Sequence, residues 1–113
     1  MKRGEVWIVS GGPDYAGKPR PAVILQDDAF DSTRSVTVCP LTSSETVLPP
    51  TRPTIEPSHE NGLRTASWLM VDKITTVSRA KVQARIGRLS AEDVTQMNRS
   101  VFLFLGLAAA SGR

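Results

Sequence analysis

Arg20 stands between Pro19 and Pro21 and is followed at once by the apolar run Ala22-Val23-Ile24-Leu25. Proline fixes φ, lacks an amide donor and drives the residue before it into extended geometry. The segment therefore holds a guanidinium, with little backbone freedom, at the mouth of a buried strand. That group is permanently charged and presents a planar fork of donors that matches phosphate oxygens. Other polar side chains gather at strand ends facing two long loops. Gln26 closes the second strand, Thr42 and Ser43 follow the third through Pro40-Leu41, and Asp72 lies between two later strands. An arginine, two hydroxyls and a carboxylate can bind a phosphodiester, and with an internal nucleophile they can cleave one. RNA brings that nucleophile in its 2′-hydroxyl. The protein must then align the backbone, stabilise the charge developing on phosphate and manage proton transfer. A guanidinium and a hydroxyl meet the first two needs without metal or histidine.

Residue types alone also admit quieter roles. Arg20 can be a surface arginine before a strand. Thr42 and Ser43 can bond loop backbone, the commonest use of such side chains. Asp72 can pair with Lys73 or cap a turn. His59, in a polar turn beside Glu60, reads as an exposed bystander, and Trp7 and Trp68 read as core or interface residues.

The bulk composition narrows the class. With 113 residues, 40% hydrophobic and 22% charged, the chain has the size and balance of one folded domain. Cys39 is the only cysteine and His59 the only histidine, so an intrachain disulfide and a Cys/His zinc site are both excluded. No metal site or cofactor is expected. The start, Met1-Lys2-Arg3-Gly4-Glu5, enters a strand-like run without a signal-peptide apolar region, and no stretch approaches the roughly 20 apolar residues of a membrane span. A cytoplasmic protein is expected. Net charge is +3, distributed unevenly: residues 1–50 carry five basic and six acidic side chains, residues 51–113 nine and five. The surplus in the second half is a mild pointer to an anionic partner.

The elements that must position these groups follow from the pattern. Glu5 to Val9 reads as a strand with Val6 and Ile8 on one face. Residues 10–21, with three glycines and three prolines, form a loop long enough to be functional. Ala22 to Gln26 reads as a strand buried on both faces. Ser35 to Pro40 is a third strand, with Val36 and Val38 inward and Thr37 and Cys39 opposite. Residues 41–53 form a second long loop, Thr54 to Pro57 an edge strand, and Ser58 to Gly62 a turn ending in the hairpin dipeptide Asn61-Gly62. Strands are expected over 64–71 and 73–77. A further strand over Arg79 to Ile86 should show Arg79, Lys81, Gln83 and Arg85 on one face, a row that reads as solvated. Ser90 caps a helix with Asp93 three residues on, Val94, Met97, Val101, Phe102 and Leu105 keep helical spacing, and Gly106 stops it. The expected architecture is mainly β with a C-terminal helix packed on a small, strongly curved sheet or barrel, one domain over 1–113, with a core at 3–107 and a frayed tail at 108–113.

Six short segments, in order, also carry a resemblance. They are Arg3-Gly4-Glu5-Val6-Trp7, Lys18-Pro19-Arg20-Pro21-Ala22-Val23, Val38-Cys39-Pro40-Leu41-Thr42-Ser43, Asn61-Gly62-Leu63, Val71-Asp72-Lys73-Ile74-Thr75-Thr76-Val77 and Ile86-Gly87-Arg88-Leu89, before a helix ending Leu105-Gly106-Leu107. In these segments the chain resembles the MazF/PemK family of toxin endoribonucleases from residue 3 to about residue 107. The resemblance implies an SH3-like β-barrel with a C-terminal helix, a homodimer, and metal-independent cleavage of single-stranded RNA. It also implies a cognate antitoxin whose acidic, disordered C-terminal tail lies over the RNA groove. By that resemblance Arg20 and Thr42 are the catalytic pair, with Gln26, Ser43, Asp72 and Lys18 as RNA-contact candidates.

The chain departs from the family pattern at two places. Some members carry a glutamate shortly before the arginine, where this sequence has Asp14-Tyr15-Ala16-Gly17-Lys18, and some carry an arginine where this one has Met70. A second cationic group is thus either missing or supplied elsewhere. Two other classes remain open: a CcdB-like toxin that binds DNA gyrase without catalysis, and a family member that has lost catalysis and only binds.

Overall fold

The computed structural model describes residues 1–10, 18–44 and 52–107. Most of the first long loop, with Gly11, Gly12, Pro13, Asp14 and Gly17, lies outside the described residues. So do Thr46, Pro49, Pro50 and Thr51 of the second loop and the tail from Ala108 to Arg113.

The elements run β1 Glu5–Val9, β2 Arg20–Ile24, β3 Ser35–Thr42, β4 Thr54–Ile55, β5 Ser67–Leu69, β6 Thr75–Ser78, β7 Val82–Arg88 and α1 Ala91–Phe104. The strands pair antiparallel in the order β4-β5-β3-β2-β1-β7, and β6 also pairs with β3. The chain is mainly β with a C-terminal helix, as its pattern predicts.

β3 organises the sheet. One edge pairs Val38–Pro40 with β2. The other pairs Ser35–Val38 with β6, then Leu41 and Thr42 with Leu69 and Trp68 of β5. Pro40 falls where that edge passes from one partner to the other, so its missing amide donor breaks no ladder, and its carbonyl accepts from the Met70 amide at 2.8 Å.

Both faces of the curved sheet are covered. Val6, Val23, Cys39, Leu41 and Leu69 form one core with Met97 of α1. Val9, Ala22, Ile24, Val36, Val38 and Val77 form another. This is why the run after Pro21 shows no polar alternation, and why Cys39, though opposite Val36 and Val38, is fully buried. Burial pushes its thiol up to about 12, with the nearby Asp72 carboxylate adding to the effect.

Several expectations are corrected. β2 begins at Arg20 rather than Ala22, so the arginine belongs to the strand and pairs with Val9. The pairing of β1 with β7 shifts register between Val6 and Trp7 and again between Trp7 and Val9. The expected alternation nevertheless holds: Val6 is buried in one core and Val9, with Trp7 packed beside it, in the other, while Ile8 is half-buried. Asn61-Gly62 lies in a turn but does not join a tight hairpin, because β4 and β5 pair across the whole segment 56–66. The break expected at Asp72 between two strands is a short 3-10 turn, Val71–Lys73, and the strands on either side are shorter than expected.

The basic row expected along a strand over Arg79 to Ile86 begins in a turn, and Lys81, Gln83 and Arg85 are exposed. Arg79 to Lys81 form a 3-10 turn. Arg79 donates to the carbonyls of Thr33 and Asp31, and Arg85 pairs with Glu5 at 3.0 Å. Burial acts to raise the Glu5 carboxyl, but the Lys2 amide, the Trp7 indole and Arg85 outweigh it and hold it below the usual range.

In α1, the Ser90 hydroxyl accepts from the Asp93 amide at 3.1 Å. Gly106, at φ +77°, ends the helix: its amide donates to Leu103 and that of Leu107 to Phe102, a Schellman closure. Met97 is fully buried, and Val94 and Val101 pack against the core. Phe102 and Leu105, expected on the same stripe, are instead 49% and 56% exposed, beside exposed Leu103, Phe104 and Leu107. Among the described residues no helix is long and apolar enough to cross a membrane.

Candidate functional site

The site begins with the pairing of β1 and β2. Val9 opposite Arg20 and Ile8 opposite Pro21 fix the start of β2 on the sheet, and the two prolines beside Arg20 leave its backbone little choice. From here Arg20 reaches a cleft of about 470 Å³. Its apolar wall comes from Ile8, Leu41, Leu63 and Ile86, contributed by β1, β3, the 56–66 segment and β7. Its polar side chains include Arg20, Ser43, Arg64 and Thr65.

The second contributor is the end of β3. Thr42 is its last residue, paired with Trp68. The Thr42 hydroxyl oxygen accepts from the Ser44 amide at 3.1 Å, which orients the side chain and leaves the hydroxyl hydrogen for another acceptor. Leu41 and Ser43 line the cleft on either side of Thr42 in sequence, while Thr42 itself is half-buried just outside the lining.

The third is the segment from Ser58 to Ser67, braced by Asn61. This asparagine is buried, its carbonyl oxygen accepting from the amides of Ser58 at 3.0 Å and Leu63 at 2.9 Å while its amide donates to the Glu56 carbonyl at 2.8 Å. Leu63 drops into the core, and Arg64 and Thr65 turn onto the cleft. The Ser67 hydroxyl donates to the Thr65 carbonyl at 3.1 Å.

Of the side chains that the sequence singles out, the cleft thus gathers Arg20 and Ser43, with Thr42 at its margin. Lys18 is exposed and outside the described lining. Gln26 lies beyond the opposite end of β2, where it donates to the Phe30 carbonyl at 2.8 Å and accepts from the Thr37 amide at 2.9 Å. Asp72 is held by Arg52 through two contacts of 2.8 Å. That bidentate guanidinium holds the Asp72 carboxyl below the usual carboxylate range, against the opposing effect of burial. His59 is exposed and also outside the described lining.

Arg64, Thr65 and the apolar wall escaped the sequence reading. The pattern predicts a strand from residue 64, whereas β5 starts only at Ser67. The usable signal was Asn61-Gly62, a turn that delivers the next residues to one place. Among the described residues no group of three or more His, Cys, Asp or Glu side chains could hold a metal ion.

A sequence model described as the PemK-like, MazF-like toxin of type II toxin–antitoxin systems matches residues 2–105. The chain is 47% identical to a probable endoribonuclease MazF of Mycolicibacterium smegmatis over 108 residues, covering 96% of this chain and 99% of the relative. It is 28% identical to the endoribonuclease MazF9 of Mycobacterium tuberculosis, covering 95% and 98%. Its fold is similar, with a TM-score of 0.80 at 22% identity, to an endoribonuclease solved with its cognate antitoxin from a mycobacterial species, covering 97% of this chain and 99% of that one.

Proposed function

The chain belongs to the PemK-like, MazF-like toxin family of type II toxin–antitoxin systems, and from that premise we propose that it is an endoribonuclease toxin that cuts single-stranded RNA. The observation that carries this reading is an arginine with a fixed backbone, Arg20, in a cleft next to the hydroxyl-bearing end of β3. The endoribonuclease relatives favour it over a CcdB-like toxin that binds gyrase.

The mechanism uses the substrate's own 2′-hydroxyl. Arg20 holds the scissile phosphate and stabilises the charge that builds as the 2′-oxygen attacks phosphorus. Thr42, oriented by the Ser44 amide, donates its hydroxyl hydrogen to a phosphate oxygen as negative charge grows there. Ser43 contacts the backbone nearby. The 2′-hydroxyl proton passes to solvent, and the bond from phosphorus to the 5′-oxygen breaks as that oxygen takes a proton from water, leaving a 2′,3′-cyclic phosphate or its 3′-phosphate hydrolysis product and a 5′-hydroxyl. The chemistry needs no metal and no cofactor.

The partners follow from the same reading. The chain acts in the cytoplasm as a homodimer, and a second copy would cover the exposed apolar end of α1. A cognate antitoxin with an acidic, disordered C-terminal tail would occupy the cationic cleft and exclude RNA. The decisive experiment incubates the protein with a long single-stranded RNA in EDTA, beside Arg20→Ala. Wild type should cut at discrete sites and the variant should not. An intact RNA with folded wild type overturns the ribonuclease reading, and undiminished cutting by Arg20→Ala overturns the role of Arg20.

A further inference from the structure

We propose that Arg64 is a second phosphate anchor of the cleft, binding a backbone phosphate adjacent to the one held by Arg20. The inference rests on the ribonuclease reading and names how the substrate is held.

The two guanidiniums come from separate segments, the first residue of β2 and the braced turn before β5, and both line the same cleft. No aspartate or glutamate is among the described residues lining it. Neither guanidinium has a hydrogen bond or ion pair to any described residue. Four other arginines are committed: Arg3 donates to the Leu25 carbonyl at 2.6 Å, Arg52 grips Asp72, Arg79 binds two carbonyls and Arg85 pairs with Glu5, while Arg34, Arg88 and Arg99 lie outside this cleft. Two cations turned into one cavity, with no counter-charge among the described residues lining it, form a site for a polyanion.

The backbone that carries Arg64 is rigid, which separates it from a loose surface arginine. Leu63, its neighbour, is buried and its amide is tied to Asn61. Gly62 is wedged against β7, where a Cβ would lie 2.0 Å from the Ile86 carbonyl oxygen. Only the side chain of Arg64 is left to order when a ligand arrives, so less entropy is lost on binding. One guanidinium holds a flexible strand of RNA at a single point, whereas two hold neighbouring phosphates and so slow its release. The apolar wall of Ile8, Leu41, Leu63 and Ile86 then gives the intervening nucleoside a dry surface.

The test separates binding from chemistry. Cleavage kinetics on a long single-stranded RNA are measured for wild type, Arg64→Ala, Arg64→Lys and Arg20→Ala. Affinity for a labelled mixed-sequence RNA with every 2′-hydroxyl methylated, which cannot be cut, is measured against salt. Arg64→Ala should raise KM about tenfold, the loss of one charge-assisted contact, and leave kcat within about twofold. Its log affinity should fall less steeply with log salt, by about 0.7, the share of one phosphate on a single strand. Arg64→Lys should restore the slope because the charge returns. Unchanged KM and slope in Arg64→Ala overturn the proposal, as does a lost kcat with KM kept. So does weakened binding of an acidic antitoxin-tail peptide with RNA affinity intact, which would make Arg64 an inhibitor contact. If Arg20→Ala cuts like wild type while Arg64→Ala shows the expected slope change, the anchor stands and the catalytic role of Arg20 falls.

Discussion

The backbones of Gly62 and Gly87 face each other with no room for a side chain on either. A Cβ on Gly62 would come within 2.0 Å of the Ile86 carbonyl oxygen, and one on Gly87 within 2.4 Å of the Glu60 oxygen and the Asn61 carbonyl carbon. The Arg88 amide donates to the Glu60 carbonyl across this contact at 2.9 Å. The 56–66 segment is thus pressed onto β7, and the cleft keeps its shape because of it.

Alanine at either position should therefore be costly. Gly87→Ala should destabilise the fold by about 1–3 kcal/mol through overpacking. Gly62→Ala should cost at least as much, since Gly62 also holds φ +72°, which alanine resists. Urea denaturation of both variants measures this. A loss under about 0.5 kcal/mol would mean that the two backbones part easily, and the brace under Arg64 would be weak.

Asp72 is predicted to act through stability. Its carboxylate lies under the Arg52 guanidinium, with side-chain exposures of 28% and 7%, and its carboxyl is held below the usual value. A lowered folded-state pKa stabilises fully above the unfolded value of about 3.9, and that stabilisation is lost as pH falls through the folded value. Asp72→Asn should thus cost about 1–3 kcal/mol near pH 7, the range for losing a charged partner of a part-buried group. The gap from wild type should close below about pH 4. RNA cleavage at 25 °C should be nearly unchanged. A large loss of cleavage with stability intact would instead place Asp72 against the substrate.

These two cases also mark how far the sequence could be read. The proline pair around Arg20, the Ser90 cap and the Gly106 stop are local signals, and the structure has each where its chemistry dictates. What stayed hidden was set by distant partners. Arg52 and Arg79 look like any other arginines until Asp72 and the Asp31–Thr33 turn are folded against them. The register shifts between β1 and β7 depend on the partner strand, and no one-strand pattern encodes them. Arg64 was concealed because β-branched and aromatic residues after it made the whole stretch read as strand, while Asn61 and Gly62 end up holding it in a turn.

Thr42 gives a sharper test than Arg20, because its hydroxyl already has one bond. The Ser44 amide uses an oxygen lone pair, so a structural role and a catalytic role call on different parts of the same group. Thr42→Val keeps the shape and deletes both. Removing one such donor has cost on the order of 10²–10³ in rate in enzymes that stabilise an oxyanion. Thr42→Ser retains the hydroxyl and should keep most of the activity. If Thr42→Val loses less than about threefold while Arg20→Ala is dead, Thr42 serves the turn at the end of β3 alone.

The nucleophile itself can be removed from the substrate. A guanidinium and a hydroxyl bind charge but do not attack phosphorus, so the reaction needs the 2′-hydroxyl of the nucleotide on the 5′ side of the cut. An RNA with a single deoxyribose there, at a site mapped on the all-ribose strand, should still bind with nearly the same affinity. Its cleavage should fall below detection at that bond while other sites are cut normally. The products of the unmodified strand should carry a 5′-hydroxyl, and at early times a 2′,3′-cyclic phosphate, which mass spectrometry distinguishes from a 5′-phosphate. EDTA should change neither the rate nor the ends. Cutting of the deoxy-substituted bond at full rate, or 5′-phosphate ends, would require an activated water as nucleophile. Arg20 and Thr42 alone could not provide one, because neither is a base near neutral pH.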